Sequence, residues 1–237
     1  MSPVEVYGTA MTSMHIHPIP CGLGIAFLIE TPHALYLVDC GSPGHEQLVL
    51  AKMRELGRAD LKLIWITHAH YDHYGCAAAL RQATGAHIGI HTADAGFLAA
   101  GKSPIGTARG RGFGYIIAQP VVMLLRPLPP APPDFTLEDG ETLERYGLDA
   151  AVLHTPGHTP GHTCLLLENS TAFAADLVSS GAQPALQRML ATDWSALPTS
   201  LARLQSAHPD WFYTGHSRRR KPGELLQQVQ PHIHRRK

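Results

Sequence analysis

The chain has 237 residues, with 19 Lys plus Arg balanced by 19 Asp plus Glu. Zero formal charge excludes a protein that grips nucleic acid or an anionic membrane mainly by charge. Hydrophobic residues at 44% against 16% charged exclude wholesale disorder. The length suffices for a core that needs no staples, and the expectation is a single domain over 1–237 with a lid-like insertion at about 101–133. Four cysteines (Cys21, Cys40, Cys76, Cys164) lie far apart with no C-x-x-C pair and read as reduced, buried thiols. No basic n-region precedes an apolar run at the N-terminus, and the longest apolar stretch, 115–125, is broken by Gln119 and Pro120. A soluble cytoplasmic protein, with neither nucleic acid nor membrane as partner, is therefore expected.

In chain order, 25–30 (IAFLIE) and 35–39 (LYLVD) are short apolar runs flanking a Thr-Pro-His turn, which suits a hairpin. Leu48, Val49, Met53 and Leu56 recur at helical spacing over 46–56, with Gly57 as a stop. The run 61–67 (LKLIWIT) predicts a buried strand, followed by a helix over 76–83 and a strand over 86–91. The 101–133 stretch gathers glycine and proline, including TARGRGFGY and PLPPAPP. Strands resume at 148–154, 163–168 and 171–176; a helix is expected over 196–207, a strand over 211–214 and a closing helix over 222–229 with Pro at its first turn. Strands with interspersed helices in each half predict an α/β architecture of two sheets with helices outside.

Of sixteen histidines, three fall with an aspartate in one run. His68, His70, Asp72 and His73 stand in the spacing H-x-H-x-D-H directly after the strand predicted over 61–67. Side chains two apart in extended chain share a face, so His68 and His70 can point together while Asp72 and His73 aim at a neighbouring spot. Imidazole with carboxylate suits zinc, iron or manganese, and two sub-clusters side by side suggest two ions. A merely solvated histidine-rich loop does not account for the aspartate or for the position at a strand end. Later apolar strands each deliver one more ligand-type residue to their C-terminal edge: His158 in TPGHTPGH, Asp176 after TAFAA, and His216 after WFYTG.

These motifs, from LVDCG (Asp39) through HAHYDH, TPGHTPGH and AADLV to TGHS, resemble those of the metallo-β-lactamase superfamily over the whole chain. The resemblance implies a four-layer αββα sandwich with a dinuclear site between the sheets. It implies one ion held by His68, His70 and His158, a second by Asp72, His73 and His216, and Asp176 bridging them. Asp39 and His162 would support the ligands from behind, and Asp72 would also relay a proton to the leaving group. Two divalent ions, zinc first, with iron or manganese also suited, would acidify a shared water from a pKa of ~15.7 towards ~7. The implied activity is hydrolysis of a small-molecule ester, lactone or thioester by a bridging hydroxide. True β-lactamases of this fold place cysteine or serine near the bridging position, so Asp176 points to the branch resembling glyoxalase II and lactonases, and His162 agrees. Only twenty-one residues follow His216, short of a glyoxalase II C-terminal segment, and Ser179 stands where acyl-homoserine-lactone hydrolases carry tyrosine. Alternatives on the same fold are a single-iron persulfide dioxygenase, a phosphodiesterase, or a ligand-binding effector on a retained scaffold.

Arg218, Arg219 and Arg220 follow the last ligand, and are read either as capture of a substrate carboxylate or phosphate at the site mouth or as a solvated cationic turn. The 115–125 stretch reads as the lining of an apolar acyl pocket under a lid, as core, or as a contact that would make the chain a homodimer. His15 and His17 are read as a further metal pair or as alternation along a short strand, and His87, His91 and His154 as donors behind the ligands or as ordinary strand-end histidines.

Overall fold

A computed structural model describes residues 14–114, 117, 121 and 127–231. The first sheet has six strands in the order β1-β2-β3-β4-β5-β7: β1 (His15–Cys21), β2 (Gly24–Glu30), β3 (Leu35–Val38), β4 (Leu61–Ile66), β5 (His87–His91) and β7 (Phe135–Leu137). β1 to β3 run as an antiparallel meander, and β3, β4, β5 and β7 are mutually parallel. The second sheet has the order β13-β12-β10-β9-β8, from β8 (Ala150–His154), β9 (Thr163–Leu167), β10 (Thr171–Phe173), β12 (Trp211–Tyr213) and β13 (Lys221–Pro222). A ribbon of β6 (Thr107–Ala108) and β11 (Leu190–Ala191) stands apart from both.

Strand alternation sorts the side chains into three apolar layers. Ile25, Phe27 and Ile29 of β2, Tyr36 and Val38 of β3, and Leu63 and Trp65 of β4 face Val152, Leu165, Leu167, Phe173 and Tyr213 of the second sheet. Their alternates Leu28, Leu37, Ile64, Ile66, Ile88 and Ile90 pack under three helices: α1 (Glu46–Glu55), α3 (Ala77–Thr84) and α4 (Thr92–Ala99). A single turn between the first two, α2 (Tyr71–Tyr74), carries Asp72 and His73. Cys164, Ala172 and Phe212 on the other side of the second sheet meet α5 (Leu197–Ser206) and α6 (Gly223–Gln227). The result is the αββα sandwich, in which β2 and β3 are buried on both faces and hence almost continuously apolar rather than alternating with polar residues.

Local rules explain the helices. Val49 and Met53, four apart, are the buried residues of α1. α3 ends at Gly85, whose φ of 75° permits the left-handed cap. α5 carries Pro at its first turn and buries Leu197, Leu201 and Leu204.

The strand expected over 171–176 stops at Phe173, because the chain turns into a 3-10 helix over Ala175–Leu177 with Ala175 at φ 44°, and elements such as α4 and β7 had no sequence signal strong enough to be expected. The helix expected over 222–229 begins one residue later and ends at Gln227, because Pro222 pairs with Trp211 in β13. The 92–99 stretch is a helix whose polar Asp94 faces inward, which disguised its period. Phe135–Leu137 is a strand too short for alternation to show. The apolar stretch at 115–125 lies outside the described residues, apart from exposed Ile117 and Val121.

Parallel β3 and β4 end at the same edge, and so do β8, β10 and β12, which share one direction in their sheet. Thr163 N–H donates to the carbonyl of Thr67, and Ile25 N–H to that of Gly215, at 2.9 and 3.0 Å. These cross-sheet bonds bring the two carboxyl edges together, where the ligand-type residues lie.

Candidate metal centre

Each histidine of the cluster is anchored on one ring nitrogen and directs the other inward. His70 Nε2–H donates to the carbonyl of Pro104 (3.0 Å), His158 Nδ1–H to that of Leu190 (2.9 Å), and His216 Nδ1–H to that of Leu23 (2.8 Å). His73 Nδ1–H donates to Asp39 Oδ2 at 2.7 Å. The Thr67 hydroxyl gives its proton to Asp39, so the His68 Nδ1 beside it at 3.0 Å is the donor of that pair. All five rings are thus set in the tautomer that a metal ligand requires.

The inward atoms form three overlapping groups, each with its ligand atoms within 4.8 Å of one another: His68, His70 and His158; His68, His73 and Asp176; Asp72, His73 and His216. Asp176 sits centrally, with Oδ2 at 3.0 Å from His216 Nε2 and 3.5 Å from His158 Nε2, and Oδ1 at 3.6 Å from His73 Nε2. Asp72 Oδ2 is 3.9 Å from His216 Nε2. The seven residues singled out from the sequence therefore converge on one small volume.

Two observations test whether a cation fits there. His68 Nε2 and His70 Nδ1 lie 3.1 Å apart, yet both protons are committed elsewhere, so two lone pairs face each other. Such a contact is repulsive without a cation at its apex, and tetrahedral ligands at about 2.0–2.1 Å from zinc stand roughly that far apart. Secondly, His73 Nε2, His158 Nε2 and Asp176 Oδ1 are buried with no hydrogen-bond partner, and all three point into this volume. The donor set fits divalent ions.

Protonation divides the cluster in two. Burial and the neighbouring imidazoles hold His68 well below the ordinary histidine range. Burial, against the nearby carboxylates, takes His70 down to about 4 and His158 to about 3. These three rings are neutral at pH 7 and ready to bind. Burial pulls His73 down as well, but Asp39 and Asp176 outweigh it and raise the ring well above its ordinary value. Asp176 raises the more exposed His216 to about 9. Burial pushes Asp176 up, but His216 and His73 hold it well below the usual carboxylate range. Without metal, the second group of ligands carries protons that an ion must displace.

The supporting residues are held with backbone strain. Asp39 has φ 55° and Ala175, just before Asp176, has φ 44°, both left-handed for a residue with Cβ. At Asp39 this conformation places the carboxylate to accept from Thr67 N–H at 2.8 Å while holding His73. His162 is turned away from the ligand role: its Nδ1–H donates to the Thr155 carbonyl at 3.1 Å and its Nε2 accepts from Asp176 N–H at 3.3 Å. Gly215 is small of necessity, since a Cβ there would stand 2.3 Å from Asp176 Oδ1 and 2.7 Å from His73 Cε1.

The residue-by-residue reading missed Asp94. Its fully buried carboxylate accepts from Ala69 N–H (2.9 Å), Thr159 Oγ (2.7 Å) and Gly161 N–H (2.7 Å), joining the loop of His68 and His70 to that of His158 and His162. One signal for it existed: Asp94 is the only charged residue of α4. The carbonyls of Pro104, Leu190 and Leu23 left no signal, because a backbone acceptor is independent of side-chain identity.

The model of the metallo-β-lactamase superfamily matches residues 19–216. The chain belongs to this superfamily. Among solved structures, it is similar to TTHA1623, crystallised in a di-iron-bound form (28% identity, 91% of this chain and 98% of that one, TM-score 0.69). It is similar to the metallo-β-lactamase family protein TTHA1429 of Thermus thermophilus (25% identity, 90% and 76%, TM-score 0.63). It is also similar to a metallo-β-lactamase of Cronobacter sakazakii, in a HARLDQ-motif mutant form (25% identity, 85% and 77%, TM-score 0.63). The metallo-β-lactamase superfamily is one of metal-dependent enzymes, mostly hydrolases, and the histidine cluster sits at the sandwich edge formed by both sheets.

The remaining histidines and the arginine cluster have other surroundings. His17 bonds Glu30 at 2.8 Å, His91 accepts from Ala93 N–H and stacks on His154 with centroids 3.9 Å apart, and His87 lies against Tyr146. Arg220 places its guanidinium 4.1 Å over the ring of Trp211, at the start of β12, whereas His216 lies past the end of that strand. Arg218 and Arg219 are exposed. All four cysteines are free and buried. Among the described residues, no helix is long and apolar enough to cross a membrane.

Proposed function

We propose that the protein is a dinuclear metal-dependent hydrolase that cleaves an ester, lactone or thioester, akin to the glyoxalase II and lactonase branch. The observation that carries this reading is the position of Asp176, whose carboxylate lies within reach of His73, His158 and His216 at once. A carboxylate so placed is suited to join two ions, with His68, His70 and His158 on one side and Asp72, His73 and His216 on the other. Bound there, zinc, iron or manganese would supply Lewis acidity and a water acidified to near neutrality. The di-iron form of TTHA1623 supports iron as an occupant to test beside zinc.

The chain's own residues would then orient and move protons. Asp39, Thr67 and the carbonyls of Pro104, Leu190 and Leu23 keep five imidazoles aimed without rearrangement, so no reorganisation is required on substrate binding. Asp72, buried beside His216, is the group we assign to pass a proton to the departing alkoxide or thiolate. Water's oxygen adds to the acyl carbon, the bond from carbon to the leaving atom breaks, and the proton passes to that atom.

The test is a panel of thioester, lactone, carboxylic ester and phosphodiester substrates, assayed with Zn²⁺, Mn²⁺ or Fe²⁺ and with chelator. The reading expects acyl hydrolysis that chelator abolishes and metal restores. Phosphodiester cleavage well above acyl hydrolysis, or oxygen uptake with a single iron, would overturn it.

A further inference from the structure

This inference rests on the hydrolase reading above and narrows its substrate. Beside the ligand cluster lies a cavity of about 410 Å³, within the range of small-ligand pockets. Asp176 and His216 border it, and Val178, Ala185, Leu186 and Met189 give it apolar walls. The loop that carries these walls is fixed in place. Ser179 N–H donates to the carbonyl of Ala185 at 2.8 Å, Gln187 N–H to that of Leu177 at 3.0 Å, and Lys221 Nζ to that of Gly181 at 2.7 Å.

The polar groups on the wall are already engaged within the protein. Ser179 Oγ accepts from Ala185 N–H, Ser180 Oγ is 2.8 Å from Thr214 Oγ1, and Gln187 Oε1 accepts from Met189 N–H at 2.6 Å. Arg188, which is exposed to solvent, is the exception. Among the described residues its guanidinium has neither hydrogen-bond nor ion-pair partner, although it lines the same cavity. An apolar chamber that ends at the metal ligands and carries one unengaged cationic fork is complementary to an apolar acyl body bearing a carboxylate, since guanidinium binds carboxylate in bidentate fashion.

We propose that the substrate is an ester or thioester whose acyl group carries a carboxylate on a short apolar chain, and that Arg188 binds this carboxylate while the chain fills the cavity. Arg188 thereby sets specificity and takes no part in bond cleavage.

The experiment compares wild type, Arg188→Ala and Arg188→Lys on the adipoyl and hexanoyl thioesters of N-acetylcysteamine, which differ in one terminal carboxylate. Heptanoate and 1-heptanol are titrated calorimetrically against the same three proteins without metal. The proposal expects Arg188→Ala to raise KM for the adipoyl thioester about ten- to hundredfold, the range of a charge-assisted bond. Its kcat should change less than twofold and the hexanoyl thioester should be unaffected. Arg188→Lys should restore part of the loss, and heptanoate but not heptanol should bind Arg188→Ala more weakly. Equal effects on both thioesters, or none on either, overturn the proposal. If metal-loaded wild type cleaves neither thioester but does cleave another acyl substrate of the panel above, the substrate assignment is overturned while the hydrolase reading stands; if it cleaves none of them, the hydrolase reading fails. Heptanoate binding that depends on Arg188 would then still support the anion site, and binding indifferent to Arg188 would overturn it.

Discussion

Replacing Asp94 with alanine removes the buried carboxylate that joins the two ligand loops, and the structure sets the size of the effect. Three donors lose their acceptor: the N–H groups of Ala69 and Gly161 and the hydroxyl of Thr159, all at 2.7–2.9 Å and all buried. Each buried donor left unpaired costs about 1–3 kcal/mol. Against this stands relief of the carboxylate's own burial, which already raises its pKa. A loss of about 3–6 kcal/mol remains, which in a domain of this length lowers Tm by on the order of 10 °C. Asp94→Asn keeps the volume and one acceptor oxygen, so it should lose about half as much. Urea unfolding of the metal-free proteins, monitored by tryptophan fluorescence and far-UV circular dichroism, measures both. The alanine variant should also bind its first metal ion more weakly, because Ala69 lies between His68 and His70 and Thr159 follows His158. A loss below about 1 kcal/mol for Asp94→Ala would refute the view that this carboxylate braces the site.

Three more outcomes follow from particular contacts. Gly215→Ala drives a methyl group against Asp176 and His73, so elemental analysis should find metal content reduced by about half, with the second ion lost first. Trp194→Phe removes the 2.6 Å bond from its Nε1–H to Thr107, loosening the ribbon beside the two carbonyls that orient His70 and His158. Competition with a chelating dye should show first-ion affinity falling about two- to tenfold. For pH dependence, His216 without metal is protonated below about 9, and Asp39 and Asp176 hold His73 above its ordinary value against its burial, so the second ion must displace protons. Its affinity should therefore rise as pH increases from 7 to 9, while the first ion, bound by His68, His70 and His158, should show little change. Calorimetry in buffers of differing ionisation enthalpy would report proton release on the second binding event only.

How much of this was legible in the sequence depended on the kind of interaction. Buried strands such as LKLIWIT announce themselves because both faces are apolar, and a ligand set through one turn, as in HAHYDH, is compact enough to read directly. Their convergence with His158, Asp176 and His216 follows from strand direction, since β8, β10 and β12 all deliver the next residue to one edge. What stayed hidden was tertiary. Asp94 faces inward from a helix whose period it masks, Phe135–Leu137 is too short to alternate, and the carbonyls of Pro104 and Leu190 orient histidines without any mark in side-chain type. Arg188 carries no mark for a related reason: unlike the run of Arg218, Arg219 and Arg220 it is a lone arginine in sequence, set apart only by the cavity that forms beside it.

In the proposed dinuclear centre, two ions share Asp176. Anomalous diffraction from crystals of the protein loaded with Zn²⁺, collected on both sides of the zinc absorption edge, tests it most directly. The account predicts two peaks a few ångströms apart, one ligated by His68, His70 and His158 and the other by Asp72, His73 and His216, with the Asp176 carboxylate touching both. A single peak, or peaks that leave Asp176 without a metal contact, would contradict it.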